Sequence, residues 1–189
     1  MHAREATIIE AAFCLFAHYG VSKTSMGEIA SAAGVARQTV YNAFASKEDL
    51  IFAAFLHYAS EARNAVESEC ATVLDLSGRL DILFRHLVEK PYEVMLTLPH
   101  LEEVLEIEQQ LSSDRRAEIK ELYQETIRTA LSPYKGQLEA HGVSLDLLAA
   151  MLKSTITQIK RDAADAAHLK QLFGTAKAII CAAASDKAN

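Results

Sequence analysis

The sequence has no tryptophan, three prolines, seven glycines and three cysteines in 189 residues. So few chain breakers exclude collagen-like and Pro/Gly-rich low-complexity chains, and they favour long helices. Cys14, Cys70 and Cys181 are odd in number and far apart, which excludes a disulfide framework and zinc-ligand spacing. They read as reduced helix residues. No apolar run approaches the roughly 18 residues that a bilayer span takes, so no membrane partner is expected. Glu5, Thr7 and Glu10 interrupt the N-terminal apolar positions, which leaves no secretory h-region, and the expected location is the cytoplasm. A basic excess is missing as well. The net charge is −6, which excludes indiscriminate coating of nucleic acid. Catalytic signatures are also lacking: there is no Ser-His-Asp order, phosphate loop, metal-ligand spacing or Cys-Xaa-Xaa-Cys. Glu102-Glu103 and Glu106-Glu108 read as solvated helix face. No enzyme activity, cofactor or metal is expected.

What is present is apolar and helical. Half of the residues are hydrophobic, enough for a sizeable core and too many for disorder. Ile8, Ile9, Ala12, Phe13 and Phe16 form a stripe at helical spacing that stops at Tyr19-Gly20, where Gly20 suits a left-handed helix exit. Ser25-Met26-Gly27-Glu28 is a capping box, and it opens a short helix with Ile29, Ala30 and Ala33 inward and Gly34 at its end. A second short helix is expected from about Ala36 to Phe44, with Val35, Val40 and Phe44 inward. Ser46 caps a long helix running from Lys47 to near Cys70, with Glu48 and Asp49 in its first turn.

Further helices are expected near Arg79–Glu89, closed by Pro91, then after Pro99, and from Ser112-Ser113-Asp114 to before Pro133. Two long helices follow, one capped at Ser144 and one restarting near Asp162. Leu145, Leu148, Leu152, Ile156 and Ile159 line the first; Leu169, Leu172, Phe173, Ala176 and Ile180 line the second. Strand-like alternation is absent, so the fold class is all-α.

Two short helices around a tight glycine turn are too small to be a fold. They become useful when a third helix covers their backs and one is free to enter a major groove. With Val35, Val40 and Phe44 inward, Arg37, Gln38, Thr39, Tyr41 and Asn42 face outward or sideways. That is a donor- and acceptor-rich face which no core requires.

At this point a resemblance becomes specific. Thr24-Ser25-Met26-Gly27-Glu28-Ile29-Ala30, Ala32-Ala33-Gly34-Val35, Thr39-Val40-Tyr41-Asn42-Ala43-Phe44 and Ser46-Lys47-Glu48-Asp49-Leu50 follow one another in order. Phe13 to Val21 precede them. This run resembles the helix-turn-helix head of TetR-family transcriptional regulators over roughly residues 4–60. The resemblance implies a DNA-binding domain at 1–60 and a helical effector-binding and dimerisation domain at 61–189. It also implies roles for single residues. Arg37, Gln38, Thr39, Tyr41 and Asn42 would face bases and phosphates, with Arg37 able to donate twice to a guanine edge. Thr24 and Ser25 would hold a phosphate, and Lys47 would clamp the backbone from the other side.

The same resemblance implies a dimer formed through the two C-terminal helices, placing two heads on a pseudo-palindromic operator. It places a small-molecule effector among the middle helices, for which His86, Tyr92, Met95, His100, Glu103 and Tyr123 are the candidates. The expected function is a repressor released by that effector. Two alternatives stay open on these residues: a helical interaction module whose head does not read DNA, and a regulator that needs no ligand.

Overall fold

The computed structural model describes residues 3–185. Among them there is no strand, and the helices in chain order are α1 (Ala3–Tyr19), α2 (Met26–Ala32), α3 (Arg37–Ala43), α4 (Lys47–Cys70), α5 (Leu76–Phe84), α6 (Lys90–Thr97), α7 (Leu101–Gln110), α8 (Ser113–Leu131), α9 (Lys135–Ala140), α10 (Leu145–Asp162) and α11 (Ala166–Ala184). Cys14, Cys70 and Cys181 lie in α1, α4 and α11 with free thiols. No described helix is long and apolar enough to cross a membrane. The chain divides into two units, Met1–Ser60 with Val94–Ile119, and Glu61–Glu93 with Lys120–Asn189.

The first unit is built on α1. Its stripe buries Ile8, Ile9, Ala12, Phe16 and Ala17, and Gly20 follows at φ +91, a left-handed exit without a Cβ penalty. Ile8, Ala12 and Phe16 share one core with Ile29 and Ala30 of α2, Val40 of α3, and Leu50 and Ile51 of α4. Leu101 and Val104 of α7 complete that same core. So a helix that begins at Leu101, well beyond the end of the helix-turn-helix at Ala43, is part of the unit that holds it.

The second unit has a separate core. The expected stripes of α10 and α11 are in it: Leu145, Leu148, Leu152, Ile156, Ile159, Leu169, Phe173 and Ile180 are all buried with Leu80, Leu83 and Leu87. The Phe84 and Phe173 rings meet at 4.6 Å. These stripes therefore fill this unit's own interior, and any surface on which α10 and α11 meet a second copy uses other positions. Arg79 closes two helix ends at once, its guanidinium donating to Cys70 O at 2.9 Å and Ala130 O at 2.8 Å.

Two boundaries differ from the sequence reading. Pro91 does not end a helix. A π-helical turn, Arg85–Glu89, closes with the Lys90 N–H donating to Arg85 O, and Pro91 then stands in the first turn of α6, where a missing N–H costs least. Helix α8 does stop at Leu131, before Pro133 as expected, and Pro133 sits in a 3-10 turn, Ser132–Tyr134, that leads into the short α9. The last helix starts at Ala166 and not near Asp162, because Asp165 is its N-cap and accepts from the His168 N–H at 2.8 Å.

Since α7 completes the first core, trimming it should be felt in α1. Leu101→Ala is expected to cost about 2–5 kcal/mol in denaturant unfolding. Amide exchange along α1 should accelerate accordingly. Unchanged exchange in α1 would contradict a shared core.

Candidate nucleic-acid interface

The turn between α1 and α2 is held from inside. Thr24 is buried, and its single hydroxyl proton goes to Gly20 O at 2.9 Å. Expected on a phosphate, its side chain instead braces the turn. Ser25 caps α2 as foreseen: Glu28 N–H donates to Ser25 Oγ at 3.2 Å, and Ser25 N–H donates to Glu28 Oε2 at 2.7 Å. These bonds favour the ionised carboxylate, and the Ser25 backbone bond, the strongest cause, holds Glu28 below its usual range. After α2, Gly34 takes φ +66 and lets the Val35 N–H return to Ala30 O at 2.9 Å, which sets α3 across α2.

Helix α3 is seven residues long and is anchored by one fully buried side chain, Val40. Arg37, Gln38, Tyr41 and Asn42 are exposed, and Thr39 is half-buried. The exposed side chains pair along the helix. Arg37 Nη2 donates to Tyr41 Oη at 3.2 Å with its guanidinium 5.4 Å from the ring centroid, and Gln38 Nε2 donates to Asn42 Oδ1 at 2.8 Å. Such i,i+4 pairs are worth a few tenths of a kcal/mol each. They hold the donors in place at little cost to a partner that replaces them. Lys47 points elsewhere: half-buried, it donates to Val21 O at 2.7 Å, fastening α4 to the first turn.

An open groove of about 640 Å³ runs along this face, with Arg4, Glu5 and Ile8 on one wall and Thr39, Asn42 and Ala43 on the other. It brings Arg4, which the sequence reading did not single out, beside α3. No local pattern signals a pairing across 35 residues.

The six effector candidates part into two groups. Met95 packs against the first unit's core, and His100 donates its N–H to Ala17 O at 2.9 Å. Glu103 accepts from the Ser22 N–H at 2.8 Å, a backbone bond that keeps its carboxylate below the ordinary range. These three serve the head. In the second unit, His86 is buried on the π turn with Nε2 2.7 Å from Glu69 Oε1, and Lys90 Nζ stands 3.4 Å from Nδ1. The His86 bond, first among the causes, lowers the Glu69 carboxyl. Tyr92 is buried and Tyr123 half-buried in the same core. Lys160 was not foreseen. Burial, and then the neighbouring charges of Lys153 and Arg161, pull its ammonium down to about 8.

The second unit also exposes apolar side chains. Leu147 and Met151 of α10 and Ile179 of α11 are 73%, 53% and 64% exposed, and they border a groove of about 420 Å³ with Leu138, Val143 and Ala183.

Residues 8–54 match the family described as bacterial regulatory proteins, tetR family. Over 43 residues the chain is 54% identical to the HTH-type transcriptional regulator AcrR of Shigella flexneri, which is 23% of this chain and 20% of that protein. The sequence match thus spans about one fifth of the relative. The fold likeness is longer. The fatty acid degradation regulator FadR from Bacillus halodurans superposes with a TM-score of 0.67 at 20% identity, over 95% of each chain. FadR from Thermus thermophilus, a TetR-family repressor solved with lauroyl-CoA, gives 0.65 at 23% identity over 98% of this chain and 97% of that one.

The lowered carboxyls make the first unit acid-sensitive. Asp49 joins Glu28 and Glu103, held low by Arg115 first and then by Ser46. Groups whose folded values lie below the unfolded ones add stability that is complete at neutral pH. That stability drains as pH falls below about 4, towards the folded values. Thermal melts from pH 6 to pH 3 should show a steeper loss for the wild type than for a Glu28→Gln/Glu103→Gln variant; parallel curves would contradict it.

Proposed function

We propose that the chain is a TetR-type regulator: a sequence-specific DNA-binding transcriptional regulator, a repressor released by a small molecule, a reading supported by the family match over residues 8–54. The observation that carries this reading is α3: Val40 is fully buried behind it, while Arg37, Gln38, Tyr41 and Asn42 face solvent as paired donors and acceptors. A guanidinium held over Tyr41 is free to exchange that phenol for guanine O6 and N7. The Ser25 hydroxyl accepts from Glu28 and keeps its own proton for a phosphate oxygen. Lys47 reaches the backbone by leaving Val21 O, and Arg4 adds a cation on the other side of α3. The DNA-reading part is assigned to residues 1–60, and effector binding and dimerisation to 61–189.

Low head charge sets the energetics. Residues 1–50 carry four cations against five carboxylates, so non-specific binding is weak and its salt slope shallow. Specific contacts must then supply most of the affinity, and two heads on a dimer double them. The exposed Leu147, Met151 and Ile179 support a dimer through α10 and α11, since such a patch favours cover by a like surface. The Thermus thermophilus repressor of the same fold holds lauroyl-CoA, which supports a small-molecule effector here. Effector binding would favour body states whose heads no longer match the operator spacing.

Selection of bound duplexes from random DNA tests the reading, and an inverted repeat is the expected product. Recovery of no enriched sequence would count against it. On the recovered operator, Arg37→Ala should cost roughly 1–3 kcal/mol and relax one base position, whereas Lys47→Ala should weaken all sequences nearly alike. Unchanged base preference in Arg37→Ala would remove the base-reading role. Leu147→Asp with Ile179→Asp should yield monomers by light scattering and leave the melting temperature close to wild type; a persistent dimer would contradict the assigned face.

A further inference from the structure

The turn between α1 and α2 sets the angle at which the helix-turn-helix leaves its support; it is braced from within and gripped by two further helices. Within the turn, Thr24 Oγ1 donates to Gly20 O at 2.9 Å. From α4, Lys47 Nζ donates to Val21 O at 2.7 Å in the free protein, a bond it gives up when it turns to the DNA backbone. From α7, Glu103 Oε1 accepts the Ser22 N–H at 2.8 Å, across 81 residues of sequence, and the Val21 backbone adds to the same bond set. The approach of α7 is close. A Cβ on Gly20 would stand 2.6 Å from Glu103 Oε2 and would push that carboxylate aside, while the φ of +91 is what calls for glycine here. One turn earlier on α7's approach, His100 N–H donates to Ala17 O at 2.9 Å, in the last turn of α1. Leu101 and Val104 lock the same helix into the core behind.

A core contact fixes position only loosely about its own axis, but a carboxylate on backbone N–H groups fixes direction. From this arrangement we propose that Glu103 is a positioning residue for DNA recognition, its carboxylate fixing the orientation in which α2 and α3 are presented. The inference rests on the reading that the head binds operator DNA. It gives Glu103 a role that touches neither DNA nor effector. In sequence, the Val94–Ile119 segment that carries α7 is joined to the second unit at Glu93 and at Lys120. The bond with Ser22 keeps Glu103 ionised at neutral pH, so the grip is present under ordinary conditions.

The test compares wild type, Glu103→Gln and Glu103→Ala as full chains on the selected operator and on random duplex, with melting temperatures alongside. Amide exchange of Val21 and Ser22 is read in the free protein. Loss of the carboxylate should weaken operator binding about tenfold and leave random-duplex binding within about twofold. Exchange at Ser22 should rise by a similar factor, and Gln, which keeps one acceptor oxygen, should recover part of both effects. A folded Glu103→Ala protein with wild-type operator affinity would overturn the proposal, as would equal losses on operator and random duplex. If the alanine variant does not fold, the glutamine variant decides on the same two affinities. Failure of the wild type to select any operator would instead sink the DNA-binding reading itself, so the two failures are told apart.

Discussion

Helices of seven residues have no stability of their own in water, where a helix under about 12 residues is marginal. Both α2 and α3 are that short, and everything the head does depends on burying Ile29 and Val40 against α1. That constraint explains the economy of the unit. One face of α3 is committed wholly to a single valine, so the opposite face is released from any structural duty and can carry Arg37, Gln38, Tyr41 and Asn42. Because the anchor is so small, the loops on either side must be rigid. Gly34 and the capping box of Ser25 and Glu28 set one join, and the gripped turn from Gly20 to Thr24 sets the other.

The parts of the head that were legible in the sequence are those governed by neighbours within four residues. The exit at Gly20, the box at Ser25 and Glu28, the turn at Gly34 and the cap at Ser46 each announce themselves by spacing, and each is where spacing places it. The outward face of α3 follows from the same periodicity. What the sequence does not display is long-range partnership. Thr24 reads as a surface residue at a helix start, yet its hydroxyl faces inward to Gly20 O. Lys47 reads as a free cation, yet it is fastened to Val21 O. Glu103 reads as solvated helix face or pocket lining, and its carboxylate lies on a backbone amide 81 residues away.

The second unit shows the same limit in another form. Periodicity identified the apolar stripes of α10 and α11 correctly, but a stripe does not say which surface it meets. Leu145 to Ile159 and Leu169 to Ile180 turn out to complete an internal core. The positions left for an external partner, Leu147, Met151 and Ile179, are sparse in sequence and visible only once the helices are placed. Pro91 is a related case. A proline ends a regular helix, but a π turn ahead of it removes the conflict, and the chain stays helical to Thr97.

The central claim is that α3 reads base edges from the major groove, and methylation protection of guanine N7 on a selected duplex measures that directly. The account predicts two protected major-groove tracts about one helical turn apart, related by a two-fold axis. Protection confined to the sugar–phosphate backbone, with guanine N7 open throughout, would contradict it.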